Sequence, residues 1–340
     1  MLSRLVAAGL AVAASFALPS IAAAQTPMRV GVIPIIGAAP LFVANGAGWL
    51  KQAGIDARVT TFESGPNMIQ ALASGTLDVY VAGVMPLAVA RAKGVESKVV
   101  TATAVEEMVF VAGPKLAPYF ADGVSAADAL KQFRAKEGKA ARLAAQPPGS
   151  VPNTTLQHWL FAVGKVDKAD AEIISMGIDG TQQAVLVGAV EGAAIREPAL
   201  TILQGRNPRI KLVATGGEMF PSQPGTVVAV TPAFMAANPA AVQALVDALV
   251  RADAMLKAKP AEAAPFVEQS LGKGIVDLAT ITKALTSPAS RFITDPRAII
   301  DATAKMQSYQ VSIGTLDKEA PLDGLFEPRF YDQAVKSGAK

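Results

Sequence analysis

The sequence predicts an α/β protein of two lobes, each a doubly wound, mostly parallel sheet flanked by helices, and three observations carry that reading. Short apolar strand patterns alternate with helical ones along the chain, which is the order that builds parallel sheets. The two halves repeat one order of elements. The length, 340 residues, suits about two domains.

The first copy opens with Arg29 to Ile35 as a buried strand, Gly37 to Ala39 as a loop, and Pro40 as the first residue of a helix reaching Ala53 and ended by Gly54. Ile55 to Phe62 is a second strand, Asn67 to Ser74 a helix, and Thr76 to Ala82 a third strand. In the second copy Arg142 to Ala145 is the strand, Pro147 to Val151 the loop, Pro152 the helix start, and Ala171 to Met176 the next strand. The closing unit shows the repeat in residues: Gly75-Thr76-Leu77-Asp78 is echoed by Gly188-Ala189-Val190-Glu191, each after a helix and before a strand. Strand-like Met108 to Ala112 and Thr226 to Val230 stand where the chain crosses between lobes. Asn238-Pro239 caps a long helix with Val242, Leu245, Val246 and Leu249 at helical spacing, and more helices follow, broken at Pro260, Gly272, Pro288 and Pro296. The expected division is residues 25–106 plus 232–340 for one lobe and 107–231 for the other.

Arg4, the apolar run Leu5 to Leu18, and Ala22-Ala23-Ala24 before Gln25 predict a secretory signal peptide over residues 1–24. With no cysteine, the chain offers neither a disulfide nor a lipidation site. The expectation is a freely diffusing periplasmic monomer. Its 31 basic and 28 acidic residues are scattered, so no nucleic-acid partner is expected.

Catalysis needs a nucleophile with its base, or a metal with its ligands. One histidine, His158, and no cysteine supply neither, so no catalytic residue, metal or cofactor is expected. What remains suits capture. In open α/β sheets ligands sit at the carboxyl ends of the strands, here the crevice between lobes. The loops Gly37-Ala38-Ala39 and Gly149-Ser150-Val151 each precede a helix start, where free N–H groups favour a carboxylate or sulfonate, although the same glycines serve tight turns. Ser64, Asn67, Ser150, Asn153 and Thr154 can donate neutral hydrogen bonds, Ser64 and Ser150 reading equally as helix caps. Arg196, at a strand end, can hold an anion in bidentate fashion. Ile36, Met85 and Phe220 offer apolar walls or core, and Glu106 and Glu107 read as solvent-facing hinge acids.

Several segments together resemble a known family. They are Pro40-Leu41-Phe42-Val43-Ala44, Gly48-Trp49-Leu50, Gly54-Ile55-Asp56, Ser64-Gly65, Ala71 to Asp78, Gly149-Ser150, Leu186-Val187-Gly188 and Glu197-Pro198. Their order is similar to that in the substrate-binding proteins of nitrate, sulfonate, taurine and thiamine-precursor ABC importers. The resemblance implies the two-lobed type II periplasmic binding fold, a small-molecule ligand, ABC permease subunits as partners, and a place at the cleft for Glu197. For the ligand, loops dominated by Gly, Ala, Pro and Met favour an organic molecule with an apolar body and one polar head: a sulfonate, a carboxylate or a heterocyclic vitamin precursor. Two other readings compete, a ligand-sensing module that feeds a receptor kinase and a pyrimidine-synthase-like enzyme. The latter relies on a cysteine-rich segment that this chain lacks.

Overall fold

Runs such as Val79-Tyr80-Val81-Ala82 and Val227-Val228-Ala229-Val230 are apolar at every position because their sheets are covered on both faces. The computed structural model describes residues 25–272 and 276–338, and the signal segment expected over residues 1–24 lies outside them. The strands are β1 (Thr26–Val32), β2 (Ile55–Thr61), β3 (Val79–Gly83), β4 (Lys98–Ala102), β5 (Val109–Ala112), β6 (Ala141–Ala145), β7 (Ala171–Ser175), β8 (Gly192–Ile195), β9 (Lys211–Thr215) and β10 (Thr226–Val230). They form two five-stranded sheets with orders β2-β1-β3-β10-β4 and β7-β6-β8-β5-β9.

Each sheet is mostly parallel, as expected, with four strands in one direction and one reversed strand that makes it mixed. In the first, β1 pairs parallel with β2 and β3, while β10 runs antiparallel to β3 and β4. In the second, β6 pairs parallel with β7 and β8, while β5 runs antiparallel to β8 and β9. The two reversed strands are the ones the chain forms just after crossing between sheets. A chain that leaves one sheet at the carboxyl ends of its parallel strands enters the other at the facing edge, so its first strand there must run backwards. This also corrects the lobe ranges read from the sequence: Thr226–Val230 lies inside the first sheet, so the return crossing precedes it rather than ending at residue 231.

The internal repeat holds at atomic level. Asp78 accepts a hydrogen bond from Arg29 N at 2.8 Å and Glu191 accepts one from Arg142 N at 2.8 Å, 49 residues apart in both cases. The backbone carbonyls of the same two acids accept from Thr231 N and Gly113 N, the residues just past β10 and β5.

Helix boundaries differ from expectation where a single residue decides the geometry. The helix expected from Pro40 to Ala53 is two, Ala39–Gly46 and Trp49–Gln52, because Gly48 turns left-handed at φ 74° between them. Asn238 does not cap the helix Pro239–Ala258 with its side chain; the entry relies on Pro239 at the first position. That helix packs on Ala39–Gly46 and on Arg329–Lys336, burying Val242, Leu245, Val246 and Leu249 completely. Burial of each such side chain stabilises by about 1.5–3 kcal/mol. The C-terminal region therefore covers the first sheet and leaves the carboxyl ends of the strands free to face the second. Among the described residues no helix is long and apolar enough to cross a membrane.

Candidate functional site: the inter-lobe cleft

The two crossings run side by side. Val105 bridges Pro224, Glu106 N donates to Gln223 O at 2.9 Å, and Met108 N donates to Gln223 Oε1 at 3.1 Å. They hinge the two sheets so that the exits of β1, β3, β6 and β8 face one another.

At the exit of β1 the chain makes one tight turn, Ile36–Ala38, before the helix Ala39–Gly46, and Ile36, Ala38 and Ala39 are fully buried. Ile36 N donates across the cleft to Glu197 O at 3.0 Å. Gly37 lies so close to the two crossings that a Cβ there would overlap Glu107 Oε2 and stand 2.6 Å from Thr226 Oγ1. At the exit of β3 the buried Tyr80 hydroxyl donates to Gly83 O at 2.8 Å. Burial raises its pKa far above the ordinary phenol value, against the opposing pull of Arg196. Met85 is fully buried at the start of the helix Met85–Ala92.

At the exit of β6, Ser150 caps the helix Val151–Gln157 by accepting from Asn153 N at 3.3 Å. Asn153 Oδ1 accepts from Gln157 Nε2 at 2.7 Å. Thr154 Oγ1 donates to Ser150 O at 3.0 Å and accepts at 2.8 Å from Gln310 Nε2, on the helix Ile300–Ser312 of the facing lobe. At the exit of β8, Arg196 is buried and its Nη1 bonds Glu107 Oε1 at 2.8 Å. Thr226 Oγ1 donates to the same oxygen at 2.8 Å. The next peptide, Glu197–Pro198, is cis.

These contacts sort the residues expected at the site. Gly37 and Arg196 meet around Glu107 and Thr226, with Tyr80 nearby. Thr154 lies in the contact between lobes. Ser64 caps the helix Gly65–Ala73 by accepting from Asn67 N at 3.4 Å, and the Asn67 side chain is exposed. The Glu197 carboxylate turns back on its own helix, accepting from Thr201 N at 3.1 Å and Thr201 Oγ1 at 3.0 Å. Its backbone carbonyl meets the first lobe at Ile36 N, and Lys283 and Ser287 of the C-terminal region stand beside the carboxylate.

Glu107 overturns one expectation. It is not a solvent-facing hinge acid but a buried one, 2% exposed. Its neighbour Glu106 does face out, pairing with Arg291 and accepting from Ser222 N at 3.0 Å. Two adjacent acids look alike in sequence, and only the tertiary position of Thr226 and Arg196 separates them. Removing one partner of the buried pair Arg196–Glu107 leaves an uncompensated charge and costs roughly 3–5 kcal/mol. His158 is structural: its Nδ1 lies 2.8 Å from Met219 O, and its ring packs on Phe220 and Tyr309 with centroids 4.5 and 4.9 Å away. Phe220 is thus part of a packed cluster. Among the described residues no group of three His, Cys, Asp or Glu side chains stands together to hold a metal.

The lobes meet closely. Besides the bonds above, Ile178 N donates to Glu63 O at 3.3 Å, and within the second lobe a hollow of about 10 Å³ beside Met108, Gln146, Pro152, Thr181 and Arg196 has room for about one water.

Two mixed sheets hinged by paired crossings, with a polar cluster buried where their strand ends face, define a periplasmic binding-protein fold. Residues 22–269 match the NMT1-like family, and the chain belongs to it. Over 92% of this chain and 89% of the other, it superposes on the periplasmic nitrate-binding protein NrtA of Synechocystis at TM-score 0.77 and 16% identity. The alkanesulfonate-binding protein SsuA of Xanthomonas axonopodis gives TM-score 0.72 and 20% identity over 90% and 100% of the chains. The desulfurization enzyme DSZB shares the fold at TM-score 0.62 and 14% identity over 92% and 100%. By sequence the chain is 26% identical, over 68% of its length, to the nitrate import ATP-binding protein NrtC of Synechococcus elongatus, and spans only 35% of that protein. It is also 26% identical to a Brucella abortus protein named provisionally as a binding protein, over 90% and 91% of the two chains.

Proposed function

We propose that this protein is the solute-binding component of an ABC importer: a secreted periplasmic monomer that captures a small organic molecule between its lobes, delivers it to permease subunits, and performs no chemistry on it. Its lobes would comprise residues 25–106 with the C-terminal region from β10 onward, and the segment between the two crossings. The observation that carries the reading is the cleft itself. The exits of β1, β3, β6 and β8 converge there, and the lobes bond one another through Ile36–Glu197, Glu63–Ile178 and Thr154–Gln310 around the buried Arg196–Glu107 pair. Lobes hinged at two adjacent crossings can part and close on a solute.

The names of the related proteins, nitrate-binding and alkanesulfonate-binding, support import of a small solute. The loops favour an organic ligand with one polar head, of the sulfonate, carboxylate or vitamin-precursor type. The absence of cysteine from the whole sequence argues against the pyrimidine-synthase-like reading. A thermal-unfolding screen of the mature protein against sulfonates, carboxylates, nitrate and nitrogen heterocycles tests the proposal, because a solute bound only by the folded state raises its melting temperature. A rise with one class is expected. No rise with any class would overturn the reading.

A further inference from the structure

The Glu107 carboxylate is satisfied on one side only. Oε1 receives both Arg196 Nη1 and Thr226 Oγ1, each at 2.8 Å. Oε2 is fully buried, accepts no hydrogen bond among the described residues, and faces Gly37, where the absence of a side chain makes room for it. A desolvated, charged acceptor without a donor is a strongly unfavourable arrangement, and one in a native structure calls for a functional role or a bound partner. This one lies between the two lobes, flanked by Gly37 from the first and Arg196 from the second.

The pairing also alters what Arg196 can do. Its charge is already neutralised by Glu107, so the cleft presents a neutral pair with a spare acceptor rather than a free cation. An oxyanion placed there would lie beside a carboxylate that repels it, whereas an N–H or O–H group would complete the network. We infer that Glu107 Oε2 accepts a hydrogen bond from the captured solute, so that the cleft selects uncharged or cationic organic molecules bearing an N–H or O–H donor over simple oxyanions. Glu107 is then the residue that sets specificity. The inference rests on the capture reading above and narrows its ligand class.

Thermal unfolding of the mature chain tests it with two sets of probes at equal concentration: cytosine, ethylammonium and taurine, which carry donors, and nitrate, acetate and ethanesulfonate, which do not. Taurine and ethanesulfonate differ only by the amino group. At least one donor-bearing probe should raise the melting temperature of the wild-type protein, and the donor-free probes should not. Glu107→Gln turns the spare acceptor into an N–H while keeping an oxygen for Arg196 and Thr226. It should weaken the donor-bearing probe by about tenfold or more, the worth of one bond to a charged group. Because that change leaves Arg196 buried without its counter-ion, the pair Glu107→Gln with Arg196→Gln is measured alongside, with the same loss expected. If nitrate or ethanesulfonate stabilises wild type and E107Q alike, the capture reading stands and the donor assignment falls. Equal affinity of a donor-bearing probe for all three proteins also overturns the assignment. No stabilisation by any probe overturns both.

Discussion

Glu197 shows how position and role can diverge within one residue. Its place before Pro198 at a strand end points to the cleft, yet the carboxylate bonds Thr201 and sits in a hollow of about 270 Å³ with Gln204, Lys283 and Ser287. Since Thr201 already occupies it, Glu197→Gln should change solute affinity by less than about threefold, which calorimetry reads directly. Burial raises the Glu197 pKa, and donors from Ser287 and Thr201 with the nearby Lys283 only partly offset this. The folded protein therefore holds that proton more tightly than the unfolded chain does. The resulting stability is complete below the ordinary carboxylate range and is lost as pH rises through the raised folded value. Gln cannot ionise, so the stability advantage of wild type over Glu197→Gln should shrink as pH rises from the ordinary carboxylate range through the raised folded value. Urea midpoints at a series of pH values check this; a difference that stays flat would show that the carboxyl is not burial-shifted.

At the scale of elements, the repeated acid before β3 and β8 ties that strand to both of its neighbours in the sheet. Both acids are buried, each takes a backbone N–H at 2.8 Å and each pairs with half-exposed cations, Glu191 with Lys139 and Arg142 and Asp78 with Arg29, but the Glu191 carboxylate lies deeper. The two should differ in consequence. Glu191→Gln should destabilise by roughly 1.5–3 kcal/mol, the range for a buried bond to a charged group. Asp78→Asn should cost less, because its carboxylate is the more open to solvent, 11% exposed against 1% for Glu191. Urea unfolding ranks the two, and an inverted order would refute burial of the carboxylate as the source of the difference. Burial alone would raise the Asp78 pKa, but the Arg29 bonds outweigh it and hold it low, so this contribution exists above the ordinary carboxylate range and disappears as pH falls through the depressed value. The Gly-x-x-acid echo makes this symmetry legible in the amino-acid order alone. β4 and β9 are not legible there, because Lys98–Ala102 and Lys211–Thr215 are five-residue segments at sheet edges, defined by pairing with β10 and β5 rather than by periodicity of their own. The cleft loops are legible for the same reason as the repeat: glycine and proline punctuate strand exits. The roles of Glu107 and Gln310 are not, since each joins the site only through partners more than 80 residues away.

For the molecule as a whole, the closeness of the lobes depends on small residues at the strand exits. Gly83, the last residue of β3, meets Val151, the first residue of the helix after β6, and a Cβ at Gly83 would stand 2.8 Å from Val151 Cγ2. That is well inside van der Waals contact, and both atoms belong to rigid elements on opposite lobes. Gly83→Ala should therefore leave each lobe folded while opposing their approach by about 1–3 kcal/mol, the usual penalty for overpacking. If capture requires closure, the apparent affinity for a confirmed solute should fall about 5- to 150-fold, since only the closed fraction binds tightly. X-ray scattering with solute present should also give a larger radius of gyration than for wild type. Val151→Ala removes the opposing methyl groups, so the Gly83→Ala, Val151→Ala double variant should recover most of the affinity and the compact scattering profile. Full affinity in Gly83→Ala alone would mean that the lobes bind solute without the approach seen at Gly83 and Val151. Failure of the double variant to recover would place the defect inside the first lobe rather than between the two.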